Sequence, residues 1–384
     1  MTPAFRKFTK RLFVVSNIIT VLFFFLAALA AYVNPGQYWI IGVLGVGFIF
    51  FLTAVIAFLI VWLLVRSKWV WLSVAALVIC WSQIYAVFGF HFLSKYEQEK
   101  QPGALRVLQW NVTSFDEVNK ARKGGITYRE EMMDYIAEQD ADVLCFQEFF
   151  ESSVPKYHDP NLAPIKNKLS YPYHYFVVDN AWWEGKLQFG VAIFSRYPII
   201  DSSRKRFDTF TGRPGESLIK ATLDVNGQRV NIYTVHLQSF LFRDKDYRNI
   251  EILKRPDDNK GKVVEAGKGI LSKFRNAYKM RNVQADVVRN ELDKSIYPAI
   301  ITGDFNDVPN SYTYSTVRGD YQDAFVKKSS GLGRTFFFIS PTLRIDYILA
   351  DKRWEVVQYK RDLKPYSDHY PLVSDLILRE SKPQ

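Results

Sequence analysis

The first 94 residues contain no aspartate or glutamate. A soluble domain rarely forgoes acidic side chains for so long, and the absence also excludes carboxylate chemistry from this part of the chain. Cysteine is nearly as scarce. The two present, Cys80 and Cys145, lie in separate apolar runs, so no disulfide is expected, and no Cys/His cluster with zinc spacing exists. Nor is there an internal repeat of the solenoid kind.

What the acid-free segment does contain is three apolar runs, Leu12–Val33, Trp39–Val65 and Trp69–Phe92. Each is long enough for a helix to cross a hydrocarbon layer about 30 Å thick. The turn-forming stretch Asn34–Tyr38 separates the first two, and Arg66-Ser67-Lys68 the second and third. The expectation is a three-span transmembrane anchor over residues 1–94, a linker over 95–104, and a soluble domain over 105–384 with a basic insertion at about 241–262. A cleaved leader ending near Ala28-Leu29-Ala30 is the alternative for the first run.

Basic residues set the expected topology. Arg6, Lys7, Lys10 and Arg11 precede the first run, Arg66 and Lys68 follow the second, and the Asn34–Tyr38 loop is uncharged. The positive-inside rule then puts the N-terminus in the cytoplasm and the large domain on the periplasmic or extracellular side. The formal charge of +11 does not by itself point to nucleic acid. Six of the 50 Lys/Arg lie in residues 1–94, leaving 44 against all 39 acidic residues, and the excess concentrates in Arg243–Arg281. Such a surface has no strong non-specific grip on a polyanion.

From residue 105 onward, apolar strand-like runs alternate with helical periodicity, an α/β or α+β pattern. Several runs end in a polar residue. Leu105–Trp110 leads into Asn111, Asp142–Phe146 into Gln147-Glu148, Arg229–Val235 into His236, and Pro298–Thr302 into Asp304, with Asn306 two residues on. Asp346 sits inside a strand-like run, and Asp368-His369 follows near the end. Singly, an Asn or Asp after a strand is most often a turn former. A carboxylate within a strand needs a partner if buried, and His369 is available to Asp346. Collected, these carboxylates, carboxamides and imidazoles are the residue types of a metal-assisted phosphoryl site carried on strand ends.

The segments Leu108-Gln109-Trp110-Asn111, Phe146-Gln147-Glu148, Tyr233–Leu237, Gly303–Asn306, Arg344–Tyr347 and Ser367–His369 occur in that order. In this they resemble the endonuclease/exonuclease/phosphatase superfamily, which includes type I deoxyribonucleases, abasic-site endonucleases, inositol-polyphosphate 5-phosphatases and neutral sphingomyelinases. The resemblance spans about Leu105 to about Leu378. It implies a four-layered α/β sandwich, two packed sheets flanked by helices, and hydrolysis of a phosphoester. It further implies Mg²⁺, or Mn²⁺, held by Glu148 with Asn111 and Asp368. Asp304 would orient or deprotonate water, Asn306 donate to a phosphate oxygen, His236 and His369 stabilise phosphoryl charge, and Asp346 fix His369. His236 is similar to deoxyribonucleases and sphingomyelinases rather than to abasic-site endonucleases.

The substrate is open between nucleic acid and a lipid or small phosphoester. Trp182, Trp183 and Phe189 could stack on a base, dip into lipid, or simply be core. No obligate protein partner is inferred. A catalytically dead binding or scaffold protein is a less favoured alternative, because all eight site residues are kept. A transporter is less favoured still, with His91 the one histidine in the apolar runs.

Overall fold

The computed structural model describes residues 3–120, 123–207, 216–240, 244–254, 260–337, 340 and 342–379. The chain divides into two compact units. The first comprises Met1–Phe88, Phe240–Asn282 and Val308–Ser315, and the second Gly89–Ser239, Val283–Asp307 and Thr316–Gln384.

In the first unit the apolar runs are helical. Helix α1 (Pro3–Ala28) continues as a 3-10 turn to Ala31. This 29-residue stretch is the one straight helix among the described residues long and apolar enough to cross a membrane. The second run forms α2 (Trp39–Val46) and α3 (Phe48–Leu64), bent by 60° at Gly47; the third forms α4 (Val70–Ile79) and α5 (Trp81–Val87), bent by 67°. By length and composition these helices offer one to three candidate crossings. Close approach explains glycine at position 45, where a Cβ would stand 2.4 Å from the Ala30 Cβ and 2.9 Å from the Asn310 carbonyl.

Polar groups in these helices seek one another, as apolar surroundings demand. Ser73 Oγ donates to Asn17 Oδ1 (3.4 Å) and Gln83 Nε2 to Tyr32 Oη (2.6 Å). Leu12, Ile19, Leu22 and Leu63 remain about half exposed, an outward apolar surface suited to hydrocarbon. Later segments of the chain close the same unit: Asn282 Nδ2 donates to Asn34 Oδ1 (2.6 Å) and Asn310 Nδ2 to the Ala27 carbonyl (2.8 Å).

Within the second unit, the strands of the two large sheets in chain order are β1 (Leu105–Asn111), β2 (Val143–Ser152), β3 (Tyr173–Trp182), β4 (Leu187–Ser195), β5 (Ile199–Arg206) and β6 (Ser217–Val225). They continue as β7 (Gln228–His236), β8 (Ala299–Asp304), β9 (Gln322–Asp323), β10 (Asp346–Ala350), β11 (Trp354–Arg361) and β12 (Leu372–Leu378). Two six-stranded sheets result, with orders β11-β12-β1-β2-β4-β3 and β9-β10-β8-β7-β6-β5.

Every residue of β1 is buried because both of its faces are covered. Leu108 and Trp110 face helix α6 (Arg129–Gln139), where the Trp110 and Tyr135 rings meet edge to face at 5.5 Å. Gln109 faces the opposite way and reaches Asp346 of the other sheet. The two sheets thus stack with a helix outside the first; Ala285, Val288 and Leu292, at helical spacing, are buried as well. This is the two-sheet α/β sandwich that the resemblance implies.

Residues 95–104 are held rather than free. Glu97 exchanges two hydrogen bonds with Gln358 (2.9 and 3.0 Å), and Lys100 pairs with Asp142 at 2.7 Å. Arg106 forms a fully buried pair with Asp375 at 2.7 Å. Much of the expected basic insertion is helical: Asp244–Lys254 forms a helix, and the 34-residue helix Lys260–Asp293 follows. Lys273 pairs with Asp246 at 2.7 Å, tying the two together. Residues 241–243 and 255–259 of the insertion lie outside the described residues.

Candidate functional site

Strand register assembles half of the candidate residues. Strand β8 lies between β7, its parallel neighbour, and β10, its antiparallel one. Asp304 is in register with His236 on one side and with Asp346 on the other, so three polar side chains stand in one row across three strands. Gly303, just before Asp304, has φ +145°, and a Cβ there would fall 2.1 Å from the Val235 carbonyl. Only glycine lets the strands close up at this point.

The other sheet supplies the facing side. Asn111 is in register with Gln147, and the β2–β4 pairing slips between Phe146 and Phe149. Glu148 sits in that bulge with φ +49°, which turns its side chain out of the strand's alternation. Its carboxylate is 41% exposed, while the Asp304 side chain is 2% exposed, so Glu148 is the more accessible carboxylate of the two. Past β1, Thr113 to Asp116 all adopt left-handed φ, a strained turn that brings the Thr113 hydroxyl onto the Asp368 carboxylate.

The side chains meet across this gap. Asn111 Nδ2 donates to Glu148 Oε1 and to Asp304 Oδ2, each at 3.2 Å. His236 Nε2 lies 3.7 Å from Asp304 Oδ2 and 3.9 Å from Glu148 Oε1. His369 Nε2 lies 3.7 Å from the same Asp304 oxygen and 4.0 Å from Asp368, while its Nδ1 is 2.8 Å from Asp346 Oδ2. Asn306, at φ +53°, donates its backbone N–H to Asp304 Oδ1 (2.8 Å) and its amide to the Leu237 carbonyl (2.9 Å). All eight residues singled out in the sequence therefore belong to one constellation.

Burial and charge tune these groups. Desolvation, with Asp346 alongside, raises the Asp304 carboxyl from 3.8 to about 6 against the pull of His369 and His236. For His369, burial works against the proton, but Asp346, Asp304 and Asp368 outweigh it and hold the imidazolium well above its ordinary range. Burial likewise opposes protonation of His236, and Asp304, Glu216 and Glu148 together raise it.

Several partners had little signal in the sequence. Gln109 Nε2 donates to Gln147 Oε1 (2.7 Å) and Asp346 Oδ1 (3.2 Å), and Gln147 Nε2 to Thr234 Oγ1 (2.8 Å), a buried polar bridge between the sheets behind the site. Two glutamines facing inward on apolar strands are the clue that could have exposed it. Ser367 Oγ donates to the Asn111 carbonyl (2.7 Å) and lies 2.8 Å from Thr113 Oγ1, joining the loop of Asp368 to the end of β1. Glu216 has a buried Oε2 with no hydrogen-bond partner among the described residues, and burial raises its pKa.

Could these residues hold a metal ion? Glu148, Asp304 and Asp368 present hard carboxylate oxygens around one gap, the donor type that Mg²⁺ or Mn²⁺ takes. Asn111 spends its Oδ1 on the Thr113 N–H (3.1 Å), so as arranged it orients the two carboxylates. Asp304, Asp346 and His369 also place ligand atoms within 4.8 Å of one another. There the 2.8 Å bond between His369 and Asp346 already occupies both partners, so that trio is better matched to a charged hydrogen-bonded pair than to a cation cage.

Trp182 and Trp183 lie at the β3–β4 hairpin tip and are about half exposed, 50% and 48%. The Trp182 ring packs on Phe189 at 4.5 Å.

Among solved structures, the chain is similar to an endonuclease/exonuclease/phosphatase from Beutenbergia cavernae, at 20% identity over 72% of each chain with a TM-score of 0.48. It is similar to the catalytic domain of human nocturnin at 20% identity, over 75% of this chain and 98% of that one, TM-score 0.48. A family protein from Bacteroides thetaiotaomicron matches at 16% identity over 74% and 99%, TM-score 0.46. No curated protein matches the chain. Residues 10–87 match a domain family of unknown function. Residues 108–369, which contain all eight candidate residues, match the Endonuclease/Exonuclease/phosphatase family, and the chain belongs to that family.

Proposed function

We propose that this protein is a membrane-anchored, divalent-metal-dependent phosphodiesterase, nuclease-like in chemistry. The observation that carries the reading is the row His236–Asp304–Asp346, closed by His369 and facing Asn111 and Glu148. It gathers an acceptor for a proton, two cations for a phosphate and an accessible carboxylate within one gap. The family generally hydrolyses phosphoester bonds.

In this reading Glu148, with Asp368 and oriented by Asn111, would hold Mg²⁺ or Mn²⁺. When bound, the metal supplies Lewis-acid stabilisation of phosphoryl charge. Asp304, with a pKa lifted to about 6, is still ionised at neutral pH yet basic enough to take a proton from water. The water oxygen attacks phosphorus, the bond from phosphorus to the leaving oxygen breaks in line, and the water proton passes to Asp304. His236 and His369, both biased toward the imidazolium form, face the charge that builds on the phosphoryl oxygens. Asp346 holds His369 in place and keeps it charged. The Asn306 N–H is engaged by Asp304 and its amide by Leu237, so its part is to fix Asp304 unless substrate draws the amide away.

The anchor would comprise residues 1–94, with the N-terminus cytoplasmic and the catalytic domain outside. The distribution of Lys and Arg supports that orientation.

A lipid or small phosphoester is the second reading of the same site. The half-exposed Trp182 and Trp183 and the apolar N-terminal helix favour it. The full chain in detergent should nick supercoiled plasmid with Mg²⁺ and cleave bis(4-nitrophenyl) phosphate, and Asp304→Ala should abolish both. Cleavage of the small diester without nicking moves the assignment to the second reading. A folded protein that cleaves neither, nor a panel of phospholipids, ends the hydrolase proposal.

A further inference from the structure

We propose that the N-terminal unit holds the phosphate headgroup of one anionic phospholipid in a cavity at its Arg66–Lys68 end. The cavity, about 700 Å³, lies between the start of α1 and the turn joining α3 to α4. Five cationic side chains line it: Arg6, Lys7, Lys10, Arg66 and Lys68. Residues 1–94 contain no carboxylate to neutralise them, and no ion pair among the described residues engages them. Like charges gathered on one hollow repel one another until an anion enters, and a phosphate neutralises several at once.

The rest of the lining says what kind of phosphate. Phe13, Val61, Trp62 and Val65 give the hollow an apolar wall, on which the Phe13 and Trp62 rings meet edge to face at 6.4 Å. Free phosphate would leave that wall bare, whereas a phospholipid covers it with glycerol and acyl carbons. Trp62 is the buried part of that wall, only 3% exposed.

The turn itself is built at a cost. Arg66 adopts φ +47°, a left-handed conformation uncommon for a residue with a side chain, and Trp69 donates its N–H to Ser67 Oγ at 3.5 Å. A glycine would close this turn more easily, yet arginine stands there with its side chain on the cavity. Basic residues flank membrane helices in general; here they converge on one hollow with an apolar wall.

The full chain, delipidated in detergent, would be titrated with phosphatidylglycerol and with phosphatidylcholine, and bound lipid counted by native mass spectrometry. One saturable phosphatidylglycerol per chain is expected, bound at least about tenfold tighter than phosphatidylcholine. The double variant Lys10→Gln/Arg66→Gln should lose about 30-fold in affinity, roughly fivefold for each cation. Lys7→Gln, which removes a single cation of the lining, should weaken binding by about fivefold and serves if the double variant fails to fold. Arg11→Gln, a neighbouring cation that does not line the cavity, should change nothing.

Equal binding of both lipids would overturn the proposal, as would an Arg11→Gln loss matching that of the double variant. Displacement of the lipid by an equal concentration of inorganic phosphate would make this a free-phosphate site and overturn the lipid assignment. None of these readouts depends on phosphoester cleavage, so failure here and failure of the hydrolase reading are distinguishable.

Discussion

Replacing Asp346 by asparagine tests the site at its least accessible point. The substitution keeps the shape and removes one charge. In the native arrangement Asp346 is 1% exposed, accepts from Gln109 at 3.2 Å and holds His369 Nδ1 at 2.8 Å. It is the largest of the charges opposing the effect of burial on His369, and it also helps raise Asp304. Asparagine therefore acts on both groups at once. His369 loses the largest of the charges that hold its proton, so its pKa falls. The Asp304 carboxyl loses a like charge, which lowers its pKa from about 6, while burial, the larger cause, still holds it above the ordinary 3.8.

Losing one charged donor to the phosphoryl group costs about 100-fold in kcat, or roughly 2.7 kcal/mol. The pH profile carries the sharper signature. Activity needs Asp304 ionised, so the rising limb follows its pKa; it needs His369 protonated, so the falling limb follows that one. Both limbs should move to lower pH in Asp346→Asn. The assay is kcat/KM on bis(4-nitrophenyl) phosphate at saturating Mg²⁺ from about pH 5 to about pH 10, with circular dichroism to confirm folding. A hundredfold loss with neither limb displaced would refute the electrostatic role and leave Asp346 a packing residue.

Gly303→Ala should be among the most destabilising small substitutions in the second unit. Its Cβ would meet the Val235 carbonyl at 2.1 Å and the backbone sits at φ +145°, so a loss of about 3 kcal/mol or more is expected from urea unfolding. Arg106→Ala leaves the Asp375 carboxylate buried and uncompensated, at a cost of about 3–5 kcal/mol. The apolar double variant Arg106→Met/Asp375→Leu should recover most of it, and a double variant no more stable than the single one would contradict the buried-pair account.

How much of this was legible beforehand depends on the kind of signal. Five of the eight candidate residues, Asn111, Glu148, His236, Asp304 and Asp346, ended apolar runs or broke them, because strand-borne sites put their chemistry where a strand stops or is interrupted; Asn306, Asp368 and His369 stood out through the motifs that hold them. The two-sheet sandwich was readable through the order of the motifs. Breaks within the second and third apolar runs were not: hydropathy is blind to the 60° bend at Gly47, which depends on what each helix packs against. The 241–262 segment reads as an exposed insertion because its composition is polar; that Asp244–Lys254 is helical and tied through Asp246 to Lys273, 27 residues on, is not written in that composition.

Sequence by itself determined the division of the chain into an acid-free apolar part and an α/β part, together with the identity of the candidate side chains. Those follow from local properties: charge content, run length, and which residue type ends a strand. Tertiary structure decided everything relational. It chose the register that sets His236, Asp304 and Asp346 in one row, the bulge that turns Glu148 outward, and the glutamine bridge behind Asp346. It also set the proton affinities, since burial and neighbouring charge lift Asp304 to about 6, and neither exists until strands far apart in the chain come together.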